Sequence, residues 1–287
     1  MNLRLSCADY SFPLLEHDHV LSLITMLGFR AVDVGLFGGR SHVRPEKAFG
    51  DVPSSARELS GRVADHGLEI ATIVYIPLDL DFRTYATNNP NAGQRNKARD
   101  LFKRALEFVV RCNCAHMTTG PGIAWDGESF DVSFERDAEE MAWRLGEAKT
   151  VGVALAFEPH ANSLASTPET TERMVKRVPG LTLALDYSHF VRHGIPEAEA
   201  HPLLKYTSHF HVRGATKDRL QVPFKENSID YGRILSILGS NGYKGYVALE
   251  YVWTEWERCD EVDNLSETVL FRDYLRSLAS KEAHVTA

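Results

Sequence analysis

Four short apolar runs in the second half of this chain each end on a side chain that can bind a metal. They are Val153-Ala154-Leu155-Ala156-Phe157-Glu158, Leu181-Thr182-Leu183-Ala184-Leu185-Asp186, Ser208-His209-Phe210-His211 and Tyr246-Val247-Ala248-Leu249-Glu250. Taking an unpaired carboxylate out of water costs on the order of several kcal/mol, so acidic ends on buried strands need a compensating cation. Together Glu158, Asp186, His211 and Glu250 read as the ligands of one divalent ion. Three oxygen donors and one imidazole suit Mn²⁺ best, with Co²⁺ and Mg²⁺ as alternatives, whereas zinc favours fewer ligands richer in nitrogen or sulfur. An octahedron with four protein ligands leaves positions open for substrate oxygens.

Positioning these groups requires strands that end on one face. Strand-like segments fall at 3–8, 31–36, 68–75, 115–119, 153–158, 181–186, 207–212 and 246–251. Helical patterns lie between and after them at 17–28, 53–66, 93–111, 133–150, 168–177, 197–204, 228–240 and 265–280. Thr167-Pro168-Glu169 predicts a helix start, as does Ser133 before Phe134-Glu135-Arg136. Gly28, Gly67 and Gly242 predict helix stops. Eight strand–helix units predict a single (β/α)8 TIM barrel spanning 1–287 as one domain. A doubly wound sheet would need a glycine-rich loop after its first strand, and Cys7-Ala8-Asp9-Tyr10-Ser11 is not one.

The composition limits the function classes. The chain has 287 residues, 44% hydrophobic and 25% charged, in the range of ordinary globular proteins. A formal net charge of −7 disfavours nucleic-acid binding, which needs a basic face. No apolar stretch reaches the roughly 18 residues of a membrane helix, and the N-terminus shows no secretory pattern. Four scattered cysteines, Cys7, Cys112, Cys114 and Cys259, fit a reduced, cytoplasmic protein. Two long loops follow strands: 77–94, and 252–264 with Trp253 and Trp256. Both are expected at the face where barrel enzymes build their sites. Trp253, Trp256 and Trp125 suit stacking on a sugar or aromatic group, or a subunit contact in an oligomer. His17, His19, His42, His66, His193 and His201 have no partner pattern and read as solvated.

Phe157-Glu158-Pro159, Leu185-Asp186-Tyr187-Ser188-His189, His209-Phe210-His211, Asn241-Gly242-Tyr243-Lys244-Gly245-Tyr246 and Leu249-Glu250 together resemble the sugar phosphate isomerase/epimerase superfamily, the xylose-isomerase-like TIM barrels. The resemblance covers nearly the whole chain and is strongest from 150 to 252. It implies metal ligands at Glu158, Asp186, His211 and Glu250, and a substrate-side histidine at His189. Ketose 3-epimerases follow their first metal glutamate with an Asn-Arg-aromatic-Glu run and place an arginine six residues beyond the metal histidine. Here the corresponding residues are Pro159-His160-Ala161-Asn162 and Lys217. Glu158-Pro159-His160 is similar instead to members that eliminate a group from an oxidised sugar, the inosose dehydratases and the catalytic α subunits of C-glycoside deglycosidases. The latter likeness implies a small second (β) subunit. The endonuclease IV branch, a DNA-repair alternative, uses three metals and needs further histidines after strands two to four and an Asp-x-His near strand seven; here strand three ends Val74-Tyr75-Ile76-Pro77 and strand seven has His209-Phe210-His211, so that set is incomplete.

The resemblance thus implies metal-dependent enolisation of a keto-sugar, by β-elimination or, alternatively, by isomerisation or epimerisation. Removal of a proton next to a carbonyl needs a base with a pKa near neutrality. His160 is the first candidate, two residues beyond Glu158, with Pro159 as a possible strand end between them. Glu158 and Glu250 are the others, because ligand glutamates move the proton in the isomerases of this family. His189, His209, Arg213 and Trp253 are expected to contact substrate. His209 and His211 are two apart and share a strand face; Arg213 continues that face as a fork of donors, or as a rim salt bridge.

Overall fold

A computed structural model of the chain describes residues 3–39, 41–77 and 83–285, with side chains as far as 279. Eight strands, β1 (Arg4–Ala8), β2 (Ala31–Leu36), β3 (Glu69–Tyr75), β4 (His116–Thr119), β5 (Ala154–Phe157), β6 (Thr182–Asp186), β7 (Thr207–Val212) and β8 (Tyr246–Leu249), pair in chain order and close on themselves. Every pairing is parallel, including β1 with β8. Helices His17–Met26, Val52–Asp65, Ala92–Arg111, Phe130–Thr150, Pro168–Arg177, Glu197–Ala200, Tyr231–Ser240 and Asn264–Val285 follow the strands in turn. The expected (β/α)8 barrel is therefore present. Its strands are sandwiched between the helices and the packed interior, which is why all six residues of β2 are buried.

Most local punctuation works as the sequence suggests. Thr167 caps its helix by accepting from the Thr170 N–H at 3.2 Å. Gly28, Gly67 and Gly242 take left-handed φ values of 79°, 68° and 72° after their helices. One expected start is displaced. The helix assigned to 133–150 begins at Phe130, because Ser129 rather than Ser133 accepts from Val132 N–H at 3.3 Å. Ser133 lies inside the helix, where its hydroxyl accepts from Trp125 N–H. The segment expected as a helix over 197–204 is one short α turn followed by a 3₁₀ stretch, His201–Tyr206. A further short helix, Ser188–Val191, follows β6 directly and carries His189.

Two register shifts set which side chains meet inside the barrel. Ala71 is the extra residue opposite the Val32–Asp33 step of β2. Ser208 is the extra residue opposite Leu183–Ala184. Beyond the second shift Asp186 stands opposite His211, and His211 opposite Ala248, two residues before Glu250. Register partners and residues two apart share a face, so Asp186, His211 and Glu250 turn inward together.

Candidate metal centre and active site

β5 stops at Phe157, so Glu158, Pro159 and His160 leave the strand as a loop. Proline disfavours continued regular structure at this point. Glu158 is nevertheless buried, with its Oε1 3.0 Å from His211 Nδ1. Glu250, just past β8, brings Oε2 to 3.3 Å from the same nitrogen. Donor atoms of Glu158, His211 and Glu250 lie within 4.8 Å of one another, as do those of Glu158, Asp186 and His189. Glu158 belongs to both groups. Three of the expected quartet, Glu158, His211 and Glu250, thus meet, and Asp186 adjoins them through Glu158, but Arg213 stands between Asp186 and Glu250. Its Nε donates to Asp186 Oδ2 at 2.8 Å and its Nη2 to Glu250 Oε2 at 2.7 Å.

The electrostatics follow from this crowding. Burial works against a charged His211, yet Glu250, Glu158 and Asp33 outweigh it and hold its pKa well above that of a free imidazole. Burial likewise opposes ionisation of Glu250, but His211 and Arg213 prevail and bring its pKa down to about 2. Four buried carboxylates, those of Asp33, Glu158, Asp186 and Glu250, face two cationic groups, His211 and Arg213. Negative charge is therefore in excess, and the oxygen-rich donor set suits a hard or borderline cation. To hold such an ion, His211, raised by its carboxylate neighbours, would first give up the proton on Nδ1.

His160 reaches the same mouth although its strand has ended. Its ring centroid is 4.2 Å from that of His189, and it stacks with Trp256 at 5.4 Å and 20°. Its Nδ1 lies 3.0 Å from Ala161 O, which can only accept, so that nitrogen carries a proton. His189 is buried, with Nε2 at 3.9 Å from Glu158 and 3.8 Å from Asp186. Burial, followed by His160 and Arg213, pushes its pKa well down, so it is neutral.

Several expected contacts fall elsewhere. His209 does not reach the mouth. It shares a face with His211, but two residues of strand are about 6.6 Å, and one layer deeper it meets Asp33 Oδ2 at 2.5 Å. A supporting place thus replaces its expected substrate contact. Arg213, expected to hold substrate, is engaged by Asp186 and Glu250. Trp253 lines a groove with Phe12, Leu14, Leu15 and Leu265 on the rim beside β1; Trp256 is the tryptophan at His160. Trp125 donates Nε1–H to Asn88 at 3.1 Å within its own loop cluster. Part of the other long loop, 78–82, lies outside the described residues. His17 and His42 are not solvated as expected: they stack at 4.8 Å, and buried His17 sits 3.1 Å from Asp9.

Sequence reasoning missed Asp33 and Tyr10. Tyr10, just past β1, donates its hydroxyl to Glu250 Oε1 at 2.8 Å. Asp33 was marked only by being an acid inside Ala31-Val32-Asp33-Val34-Gly35-Leu36, an otherwise apolar run.

Known proteins agree with the architecture. A 3-epimerase of D-psicose from Clostridium cellulolyticum H10, with D-tagatose bound, superposes with a TM-score of 0.76 at 16% identity, covering 96% of this chain and 99% of its own. A xylose isomerase-like barrel protein from Mycobacterium smegmatis, in complex with magnesium, gives 0.71 at 18% identity, covering 96% of each chain. A probable 3-DHS dehydratase from Bacillus anthracis gives 0.69 at 15% identity, covering 94% of this chain and 99% of its own. At such identities the likeness speaks for the fold. No curated protein sequence matches the chain. The sequence model of one family does match, across residues 21–275, and with the closed eight-stranded barrel it places the chain in the xylose isomerase-like TIM barrel family.

Proposed function

We propose that the chain is a divalent-metal-dependent enzyme that removes the proton next to the carbonyl of a keto-sugar. Within that class it acts as a lyase, by β-elimination from an oxidised sugar of the 3-oxo-glycoside or inosose type. The observation that carries this reading is the convergence of Glu158, Asp186, His211 and Glu250 on one buried site with His160 at its edge. These four residues would hold the ion, Mn²⁺ in first place. A bound divalent ion supplies Lewis-acid stabilisation of negative charge building on a carbonyl oxygen. His160 Nε2 takes the proton from the carbon next to that carbonyl. The electron pair left behind forms the new double bond, and the bond to the group on the next carbon breaks, with that group leaving with its electrons. Neutral His189 positions a substrate hydroxyl beside His160. Trp256 covers one face of the His160 ring, keeps water from it and offers an apolar platform to a sugar or aromatic aglycone.

A second reading is a sugar isomerase or epimerase. It is favoured by the two carboxylates, Glu158 and Glu250, that flank His211 from different strands and could remove and return a proton. One experiment separates the two. Protein loaded with Mn²⁺ is incubated in D₂O with ketoses, inososes and 3-oxo-glycosides, and the products are analysed. Elimination releases water or an aglycone from the substrate; isomerisation returns an isomer carrying carbon-bound deuterium. Turnover of no keto-sugar, and no exchange of a carbon-bound proton, overturns both readings.

A further inference from the structure

β2 buries a carboxylate among apolar residues, and nothing in the proton-transfer scheme above uses it. Asp33 is wholly inaccessible to solvent. A buried acid at that position needs partners, and it has two, both from β7. His209 Nε2 lies 2.5 Å from Asp33 Oδ2, and His211 Nε2 lies 3.4 Å from the same oxygen. The second contact is at ion-pair distance rather than a closed hydrogen bond, and His211 Nε2 has no other partner. The opposite nitrogen of that ring, Nδ1, is the one aimed at Glu158 and Glu250. The two edges of His211 thus face two different acidic groups, one above and one below.

We propose that Asp33 is the positioning residue of the metal centre: it takes the Nε2–H of His211, fixes the ring's tautomer and turn, and so presents the Nδ1 lone pair to the ion. His209 holds Asp33 from the side and keeps its carboxylate aimed at His211. The physical gain is the usual one for a ligating imidazole whose far N–H is held by a carboxylate: a fixed orientation and a more basic donor atom. This inference rests on the proposed metal reading only for its consequence, and the orientation of His211 can be measured without any ion.

The test uses full-length protein with ¹⁵N-labelled histidine. In metal-free wild type, His211 is expected to carry a proton on Nε2, beside the one on Nδ1, in a downfield, slowly exchanging position, and Asp33→Ala is expected to lose that signal. Mn²⁺ titration followed by EPR then reads affinity. Asp33→Asn is expected to bind about 10- to 100-fold more weakly at the same stoichiometry, with an altered nitrogen coupling to the bound ion. A simple loss of packing would leave that coupling unchanged in the protein that still binds. Wild type carrying the His211 proton on Nδ1 alone, with none on Nε2, overturns the proposal, and this holds even should both variants fail to fold. So does Asp33→Asn with wild-type affinity and coupling, and so does a second ion per chain that Asp33→Asn abolishes, since Asp33 would then be a ligand. Wild type that binds no divalent ion overturns the proposed function; the Nε2–H signal and its loss in Asp33→Ala would then support the Asp33–His211 bond alone.

Discussion

The rings of His160 and His189 lie 4.2 Å apart although they come from different units of the barrel, the loop after β5 and the short helix after β6. One is half-buried with its Nδ1 on Ala161 O, the other fully buried and neutral. Two imidazoles in such different surroundings can take different parts in proton transfer.

Replacing His160 with Ala is expected to lower kcat for elimination by about 10²- to 10⁴-fold, the usual contribution of a general base. Metal content should not change, because His160 belongs to none of the three candidate ligand groups, Glu158–His211–Glu250, Glu158–Asp186–His189 and Asp33–His209–His211. Elemental analysis beside steady-state kinetics checks both halves; full activity in the variant removes His160 from the mechanism.

Removing the metal should both inactivate and destabilise the protein. With the ion at about 100 times its Kd, binding to the folded state alone adds roughly 2.7 kcal/mol. EDTA is expected to lower Tm, and Mn²⁺ to restore it in wild type but not in Glu158→Gln or Glu250→Gln. An identical Tm with and without metal, at saturating concentration, speaks against the centre.

Arg213→Met leaves Asp186 and Glu250 buried without their guanidinium. Breaking a buried ion pair in this way costs about 3–5 kcal/mol. Urea unfolding in EDTA measures the loss, and a change below about 1 kcal/mol would show that the bridge carries little of the site's stability.

Asp137 gives a pH prediction away from the metal centre. Burial pushes its pKa up from 3.8 to about 6, against the hydroxyl of Thr87 and the Gly122 N–H, which donates at 2.9 Å. A raised pKa means that the folded state holds the proton more tightly. Its contribution is therefore complete below about pH 4 and lost as the pH rises through about 6, a span of roughly 3 kcal/mol. Asp137→Asn, whose amide can donate to Thr87 and accept from Gly122, should match wild type near pH 4 and gain stability relative to it by pH 8. Unfolding of both proteins across that range checks the slope; a pH-independent difference contradicts it.

The alternation of strand and helix, the helix stops at Gly28, Gly67 and Gly242, and the capped start at Thr167 were legible because each depends on residues a few positions apart. The same holds for the acids at the ends of β5, β6 and β8. The amino-acid sequence by itself therefore determined the barrel and the inventory of groups that gather at its mouth. Tertiary structure decided their assignments: that His209 serves Asp33 rather than substrate, that Arg213 bridges Asp186 and Glu250, that Trp256 and not Trp253 lies on His160, and that His17 is buried against His42. Asp33 and His209 are 176 residues apart, and their meeting depends on closure of the barrel through the β7–β8, β8–β1 and β1–β2 pairings. A one-residue slip in any of these pairings turns every following side chain to the opposite face, and no local pattern in the chain records which register the closed barrel adopts.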